Sequence, residues 1–241
     1  TENPGMPSAP PSRAHIQSIV THTTKELESL DSMSYGYLFN IRTTPDGPAI
    51  TLTGLEFYTT NAGQVNYELW SRIGPYGEFR GVYEGWDLIG TGTIEGRGPG
   101  KLTSIPTQQL TPVSMSGGGD GVEDGIRALY LTLNTNDLVY EAASNGGDAA
   151  DINVQSSSEE LEIYEGEAVL SYPFPDPSQD YFYRAPQNFV GTIHYDRLPC
   201  KPFSMYGPVV ELPCPVGDWP TKSPTLEPTT GAPTLPAPTG S

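Results

Sequence analysis

Short runs of alternating apolar and polar residues follow one another along most of the chain. Val65 to Trp70 alternates cleanly, and Ala49 to Tyr58 alternates with a change of register at Gly54, which indicates a β-bulge. Arg127 to Leu133 is apolar at most positions, which is typical of a buried strand. Similar runs predict further strands at Tyr37–Ile41, Trp86–Ile89, Thr91–Ile94, Leu138–Tyr140, Leu161–Tyr164 and Val190–Tyr195.

Turn-forming sequences separate these runs. In Pro45-Asp46-Gly47 the proline presets φ and the glycine accepts a positive φ, and Asn61-Ala62-Gly63 forms a second turn. The stretch from Leu102 to Val113 is predicted to be extended but interrupted by its prolines. No long helical pattern lies between the strands, which argues against a parallel βαβ architecture. We therefore predict an all-β domain, an antiparallel β-sandwich of jelly-roll type, over residues 35–198.

Residues 1–34 are predicted to form an N-terminal arm. Residues 1–14 are rich in Pro and Ser, which favours an extended chain. Residues 15–31 leave two possibilities open, because their apolar residues recur at helical spacing while the run from Ile19 to Thr24 is rich in β-branched residues. A strand is favoured for the first half, and the residues that would make it a pairing strand are Ile16, Ile19 and Val20.

The composition changes beyond residue 198. Residues 199–219 contain both cysteines, Cys200 and Cys214, and a disulfide between them would stabilise this extension by roughly 3 kcal/mol. Residues 220–241 contain six Pro and six Thr, which predicts a polyproline-like tail that is either a plain linker or an O-glycosylated stalk. The hydroxyl residues that a glycosylated stalk would modify are Thr221, Ser223, Thr225, Thr229, Thr230, Thr234 and Thr239.

The chain is strongly acidic, with a formal net charge of −17 from 29 acidic and 12 basic residues. A surface of this sign repels phosphate backbones, so nucleic acid is not expected as a partner. No run of about 18 apolar residues is present, and no membrane span is expected. The first residues do not resemble a signal peptide, so a secreted protein would already have lost its leader.

Three of the strand-like segments, in chain order, are Tyr37-Leu38-Phe39-Asn40-Ile41, Tyr67-Glu68-Leu69-Trp70 and Gly191-Thr192-Ile193-His194-Tyr195. With the segments between them, they resemble a repeated extracellular domain of diatom and bacterial surface proteins. The resemblance covers about two thirds of the chain, and the tail resembles the Pro-Thr-rich spacers of diatom cell-surface proteins. It implies a secreted surface module, often repeated, with no catalytic residues to transfer.

One acidic segment, Glu160-Leu161-Glu162-Ile163-Tyr164-Glu165, resembles the Glu-x-Asp-x-x-Glu strand of jelly-roll β-glucanases. The resemblance implies that Glu160 would be the nucleophile and Glu165 the acid/base, and a retaining pair needs its carboxyl groups about 5–5.5 Å apart. The middle position is Glu instead of Asp, which departs from that pattern. A solvated acidic strand flanking buried Leu161 and Ile163 explains the segment equally well, and an enzyme is not expected.

Other candidate sites rest on weaker patterns. Asp120, Glu123 and Asp124 lie in a Gly-rich loop and could hold Ca²⁺, although their spacing is not that of an EF-hand. Asp148 and Asp151 form a second acidic loop. No other cofactor is expected, because zinc-binding and nucleotide-binding motifs are absent from the sequence, and no motif for a Ser-His-Asp triad is present either.

Aromatic residues concentrate between residues 67 and 86. Aromatic side chains on a β-domain either fill the core or stack on sugars, and we expect Trp70 and Trp86 to face the core. Tyr76 and Tyr83 lie in a Gly-rich loop and are the candidates for carbohydrate contact.

These patterns favour an extracellular structural or surface module, a subunit of a fibre, cell wall or surface coat. Residues 16–24 could add to an exposed sheet edge of a neighbouring copy, and head-to-tail addition of this kind forms filaments. The expected partners are further copies of the chain, other surface proteins or polysaccharide. A carbohydrate-binding adhesion module is the first alternative, and a jelly-roll β-glucanase is the second.

Overall fold

The computed structural model describes residues 16–20, 33–45, 47–118, 125–143, 153–176, 178 and 180–198. These residues form two antiparallel β-sheets, which confirms the predicted all-β sandwich. Their only helical segments are three short 3-10 turns at Gly77–Phe79, Thr107–Gln109 and Asp180–Phe182. Within the described ranges, no helix has the length and apolar character needed to cross a membrane.

The described residues contribute fifteen strands to the two sheets. They are β1 Ile16–Val20, β2 Met33–Ser34, β3 Gly36–Thr43, β4 Ile50–Tyr58, β5 Gln64–Ile73, β6 Asp87–Glu95, β7 Leu102–Ser104, β8 Val113–Met115, β9 Ile126–Leu133, β10 Leu138–Ala142, β11 Val154–Ser157, β12 Leu161–Tyr164, β13 Gly166–Val169, β14 Tyr183–Phe189 and β15 Gly191–Arg197.

The smaller sheet has the order β1-β15-β4-β7, with β8 pairing on the same central strand β4. The larger sheet has the order β2-β10-β14-β13-β3-β9-β5-β6. In addition, β12 pairs with β3, and β11 pairs with β12. The ladder between β15 and β4 shifts register at Gly54, which confirms the predicted bulge. The strand β1 resolves the ambiguity at residues 16–20 in favour of a strand, and it lies within the smaller sheet.

The main core fills the space between the sheets. Phe39 of β3 and Phe189 of β14 stack with their ring centroids 4.7 Å apart, and both are almost fully buried. Apolar residues at alternate positions of β4 and β5 face this core, as the sequence pattern predicts. The described core is therefore a continuous layer between two sheets, as in other β-sandwiches.

A second hydrophobic cluster covers the outer face of the larger sheet. Trp70, Trp86 and Tyr130 belong to it, together with side chains from the loop of residues 74–86 and the loop of residues 170–182. The burial of Trp70 and Trp86 confirms the expectation that they face a core. The described side chains of these loops that belong to the cluster are thereby packed against the sheet.

Burial raises the pKa of several tyrosines, foremost Tyr37, Tyr130, Tyr183 and Tyr195. A raised pKa means that the folded state binds these protons more tightly than the unfolded state, whose tyrosines titrate near pH 10. Their contribution to stability is therefore complete below about pH 10 and is lost as the pH rises through the folded pKa values. We expect unfolding and the release of the buried phenol protons to occur together at alkaline pH.

Parallel titrations by circular dichroism and by the ultraviolet absorbance of tyrosinate test this expectation. The part of the tyrosinate signal that comes from the buried rings should appear only as the native circular dichroism is lost, above pH 10, and in denaturant all 14 tyrosines should titrate near their ordinary pKa. Complete ionisation of the tyrosines while the circular dichroism remains native would contradict it.

Candidate functional site

The candidate assembly site is the edge of the smaller sheet formed by β1. All five residues of β1 pair with β15, from Ile16 opposite Asp196 to Val20 opposite Thr192. Ile19 points into the core with 4% of its surface exposed, whereas Val20 is 42% exposed. Because β1 ends the strand order, its second edge has no ladder partner among the described strands. Ile19 and Val20 thus lie on the outermost described strand of the smaller sheet, where β1 pairs with the chain's own β15.

The strand β15 supports β1 from its other side. Its seven residues pair with β4 from Gly191 opposite Phe57 to Arg197 opposite Ile50. His194 lies opposite Ser18 of β1, and its Nε2 lies 3.4 Å from Oε2 of Glu56 on β4. The strand that pairs with β1 is therefore held in place by its seven-residue ladder with β4.

A buried polar network ties β15 to the turn before β12. Tyr195 donates its hydroxyl to Oε2 of Glu160 at 2.7 Å, and Arg197 forms an ion pair with the same carboxylate. The hydroxyl of Ser158 lies 3.0 Å from that of Tyr195 and accepts the backbone N–H of Leu161 at 3.0 Å. Burial is the main cause that raises the pKa of Tyr195.

The acidic segment around β12 distributes its carboxylates among separate partners. Glu162 forms an ion pair with Arg42 of β3 at 2.7 Å, and Glu165 accepts a hydrogen bond from Nδ2 of Asn153 at 2.9 Å. Glu160 and Glu165 are only 5% and 3% exposed, so the interpretation of the segment as a solvated acidic strand is wrong for them. Arg197 and Asn153, which hold these carboxylates, come from segments that the acidic motif does not indicate.

The two tyrosines predicted to contact carbohydrate have different environments. Tyr76 is only 2% exposed, because its loop folds back onto the sheet and its backbone N–H donates to Oδ1 of Asn40 at 3.1 Å. Its prediction as a surface contact is therefore wrong. Tyr83 is 63% exposed and rests against Trp70. Sequence reasoning missed Tyr172 and Glu68, which lie beside this ring system and are joined by a hydrogen bond of 3.0 Å.

Several predicted sites lie outside the described residues. They are the Ca²⁺ candidates Asp120, Glu123 and Asp124, the acidic loop residues Asp148 and Asp151, the cysteines Cys200 and Cys214, and all the proposed glycosylation positions from Thr221 to Thr239. Within the described part of the chain, no group of three or more His, Cys, Asp or Glu residues is arranged to hold a metal ion.

Comparison with known proteins gives little further guidance. No family model and no curated protein matches the chain. Among solved structures, the chain is similar to a crystal structure of the cysteine protease and lectin-like domains of Cwp84, a surface layer associated protein of Clostridium difficile. The match has 16% identity and a TM-score of 0.36, and it covers 69% of this chain and 33% of that chain. At this TM-score, neither a shared fold nor a shared function follows.

Proposed function

We propose that this chain is an extracellular structural module of a fibre, wall or surface coat, and that copies join when β1 of one copy pairs with β15 of the next. The observation that supports this proposal is the position of β1, a five-residue edge strand whose only ladder partner in the described sheets is β15. The acidic segment receives no catalytic role in this proposal, because its carboxylates are bound by separate structural partners.

Exchange of β1 between copies would replace each ladder hydrogen bond by an equivalent one. Ile19 would enter the same core position on β15 of the neighbour, so the buried apolar surface would be conserved as well. Residues 21–32 connect β1 to β2, and twelve residues can span at most roughly 40 Å. Exchange of β1 requires that β15 of the neighbouring copy lies within this covalent limit.

The geometry of exchange determines the product. Mutual exchange between two copies closes into a dimer, whereas addition in one direction leaves a free β15 at one end and a free β1 at the other. The second case forms filaments. Since each chain carries a net charge of −17, we expect assembly to be weak at low ionic strength and to strengthen as salt screens the repulsion.

Cysteine pairs across the two strands test this proposal directly. In a chain with Cys200 and Cys214 replaced by serine, Ser18→Cys and His194→Cys are introduced into separate preparations. Ser18 and His194 are directly opposite each other in the ladder, so a disulfide between the two preparations requires that β1 of one copy lies on β15 of another. After mixing and oxidation we expect covalent pairs of the two variants.

A matched control replaces His194→Cys with Thr91→Cys, an exposed position on β6 of the other sheet. Covalent pairs with this control would indicate random collision. A third variant carries both Ser18→Cys and His194→Cys in one chain, and if it closes its own disulfide while the two single variants form no covalent pairs, exchange is contradicted. A chain that lacks residues 1–34 should also fail to form the assemblies that electron microscopy and light scattering detect. Unchanged assembly of this shortened chain would overturn the proposal.

A further inference from the structure

Tyr83 is an exposed aromatic ring that the fold holds in place. The centroid of its ring lies 5.0 Å from that of Trp70 at an interplanar angle of 74°, and 5.6 Å from that of Phe174 at 83°. These edge-to-face contacts fix the orientation of the ring, although 63% of the residue remains exposed. A ligand that stacks on Tyr83 would therefore lose little free energy to ordering the side chain.

The supporting loop is itself anchored to the sheet. Nε1 of Trp86 donates to the carbonyl of Phe79 at 3.2 Å, and the guanidinium of Arg72 on β5 lies 3.2 Å from the centre of the Phe79 ring. Gly85, with a φ of 87°, supplies the positive dihedral that turns the chain back to β6. The ring of Tyr83 thus belongs to a fixed surface.

A carboxylate lies beside this ring system and is oriented by two donors. Oε1 of Glu68 accepts the hydroxyl of Tyr172 at 3.0 Å, and Oε2 accepts Nε1 of Trp70 at 3.1 Å. Each carboxylate oxygen has more than one lone-pair site, so both can accept a further hydrogen bond. Tyr172 is 39% exposed, and Leu88 on β6, opposite Trp70 in the ladder, is 44% exposed.

We propose that the surface formed by Glu68, Tyr83, Leu88 and Tyr172 binds a neutral pyranose unit of a polysaccharide. The apolar C–H face of the sugar would stack on Tyr83 while a sugar hydroxyl donates to Glu68. The Tyr83 ring and the neighbouring Glu68 carboxylate, a hydrogen-bond acceptor, supply these two contacts. This inference does not depend on strand exchange at β1, because β1 lies in the other sheet.

The charge of the surface determines which sugars fit. Glu68 is part of the proposed surface, and the whole chain is acidic. Glu84, which follows Tyr83 in sequence, and Asp87, which precedes Leu88, are both exposed. Uronic acids and sulfated sugars would be repelled, so a neutral sugar is favoured over an acidic one.

The spacing of the rings argues against a proline-rich segment as the occupant. Polyproline ligands insert into grooves between aromatic side chains. Here Tyr83, Trp70 and Phe174 pack directly against one another with centroid separations of 5.0 to 5.6 Å, which leaves no slot between them. The exposed part of Tyr83 is a surface for stacking.

Binding to soluble polysaccharides tests the proposal. Laminarin and galactomannan serve as neutral probes and alginate serves as the acidic probe, with the change in tryptophan fluorescence and affinity electrophoresis as readouts. We expect binding to at least one neutral probe and none to alginate. Tyr83→Ala and Glu68→Gln should each weaken that binding at least tenfold, while Tyr83→Phe, which keeps the ring, should retain it.

Tyr181→Ala is the matched control, because Tyr181 is a similarly exposed tyrosine, at 69%, that packs at a tilt of 45° against Phe182 and lies outside the proposed surface. It should bind as the unchanged chain does. Circular dichroism of every variant is measured as well, and a native spectrum is required before its binding is compared. The proposal is overturned if neither neutral probe binds, if alginate binds as tightly, or if Tyr181→Ala reduces binding as much as Tyr83→Ala. It is also overturned if only a peptide of residues 220–241 binds and Tyr83→Ala abolishes that binding.

Discussion

Replacing Gly191 with alanine is expected to lower the free energy of unfolding by about 3 kcal/mol. A Cβ atom at this position would lie 2.2 Å from the carbonyl oxygen of Glu56 and 2.5 Å from the ring of Phe189. The oxygen belongs to the backbone of β4, so the clash cannot be relieved by turning a side chain. The first residue of β15 would have to move away from β4, and the acceptor strand of β1 would be displaced with it.

Denaturant unfolding followed by circular dichroism measures the loss. Gly77→Ala is the matched control, because a Cβ atom there meets nothing within 4 Å, and its stability should stay within about 0.5 kcal/mol of the unchanged chain. Equal stability of the two variants would show that β15 does not lie against β4 as closely as described.

Most of the strands could be predicted from periodicity, and the ones that were missed have identifiable causes. The strand β14 contains Pro186 and polar residues, which argue against a strand with neighbours on both sides. Pro186 is tolerated because the ladder with β13 shifts register between the pairs Gly166–Gln187 and Ala168–Arg184. Such a register shift depends on how β14 pairs with β13, so the sequence of β14 alone does not indicate it.

The candidate sites were less predictable because exposure depends on how loops fold back. Tyr76 and Tyr83 lie seven residues apart in the same Gly-rich loop, and the sequence gives no reason to separate them. The contact between the backbone of Tyr76 and Asn40 buries one ring, while the packing of Tyr83 on Trp70 leaves the other exposed. Tyr172 and Glu68 are 104 positions apart, so only the folded chain shows that they share a surface.

The same limit applies to the acidic segment. Its spacing resembles a catalytic pattern, yet the environment of each carboxylate depends on strands far away in sequence. Arg197 and Tyr195 of β15 hold Glu160, and they form part of the ladder strand that receives β1. Glu160, which belongs to a segment that resembles a catalytic motif, thus has a structural role next to the proposed assembly edge.

Replacing Arg197 with alanine is expected to destabilise the fold by about 3 kcal/mol, because the carboxylate of Glu160 would remain buried without its cation. Only 6% of the Glu160 side chain is exposed, while that of Arg197 is half exposed, which places the loss at the lower end for a broken buried ion pair. Glu160→Gln removes the charge but leaves an oxygen to accept the hydroxyl of Tyr195.

A double-mutant cycle measured by denaturant unfolding separates the charge from the packing. The combined variant with Arg197→Ala and Glu160→Gln should be more stable than Arg197→Ala alone by at least about 1 kcal/mol, since the uncompensated charge is gone. Arg184→Ala is the control, because Arg184 is exposed and donates to the hydroxyl of Tyr140 without a carboxylate partner in the described contacts. If the double variant loses the full sum of the two single losses, Arg197 and Glu160 are not coupled and the network does not tie β15 to β12.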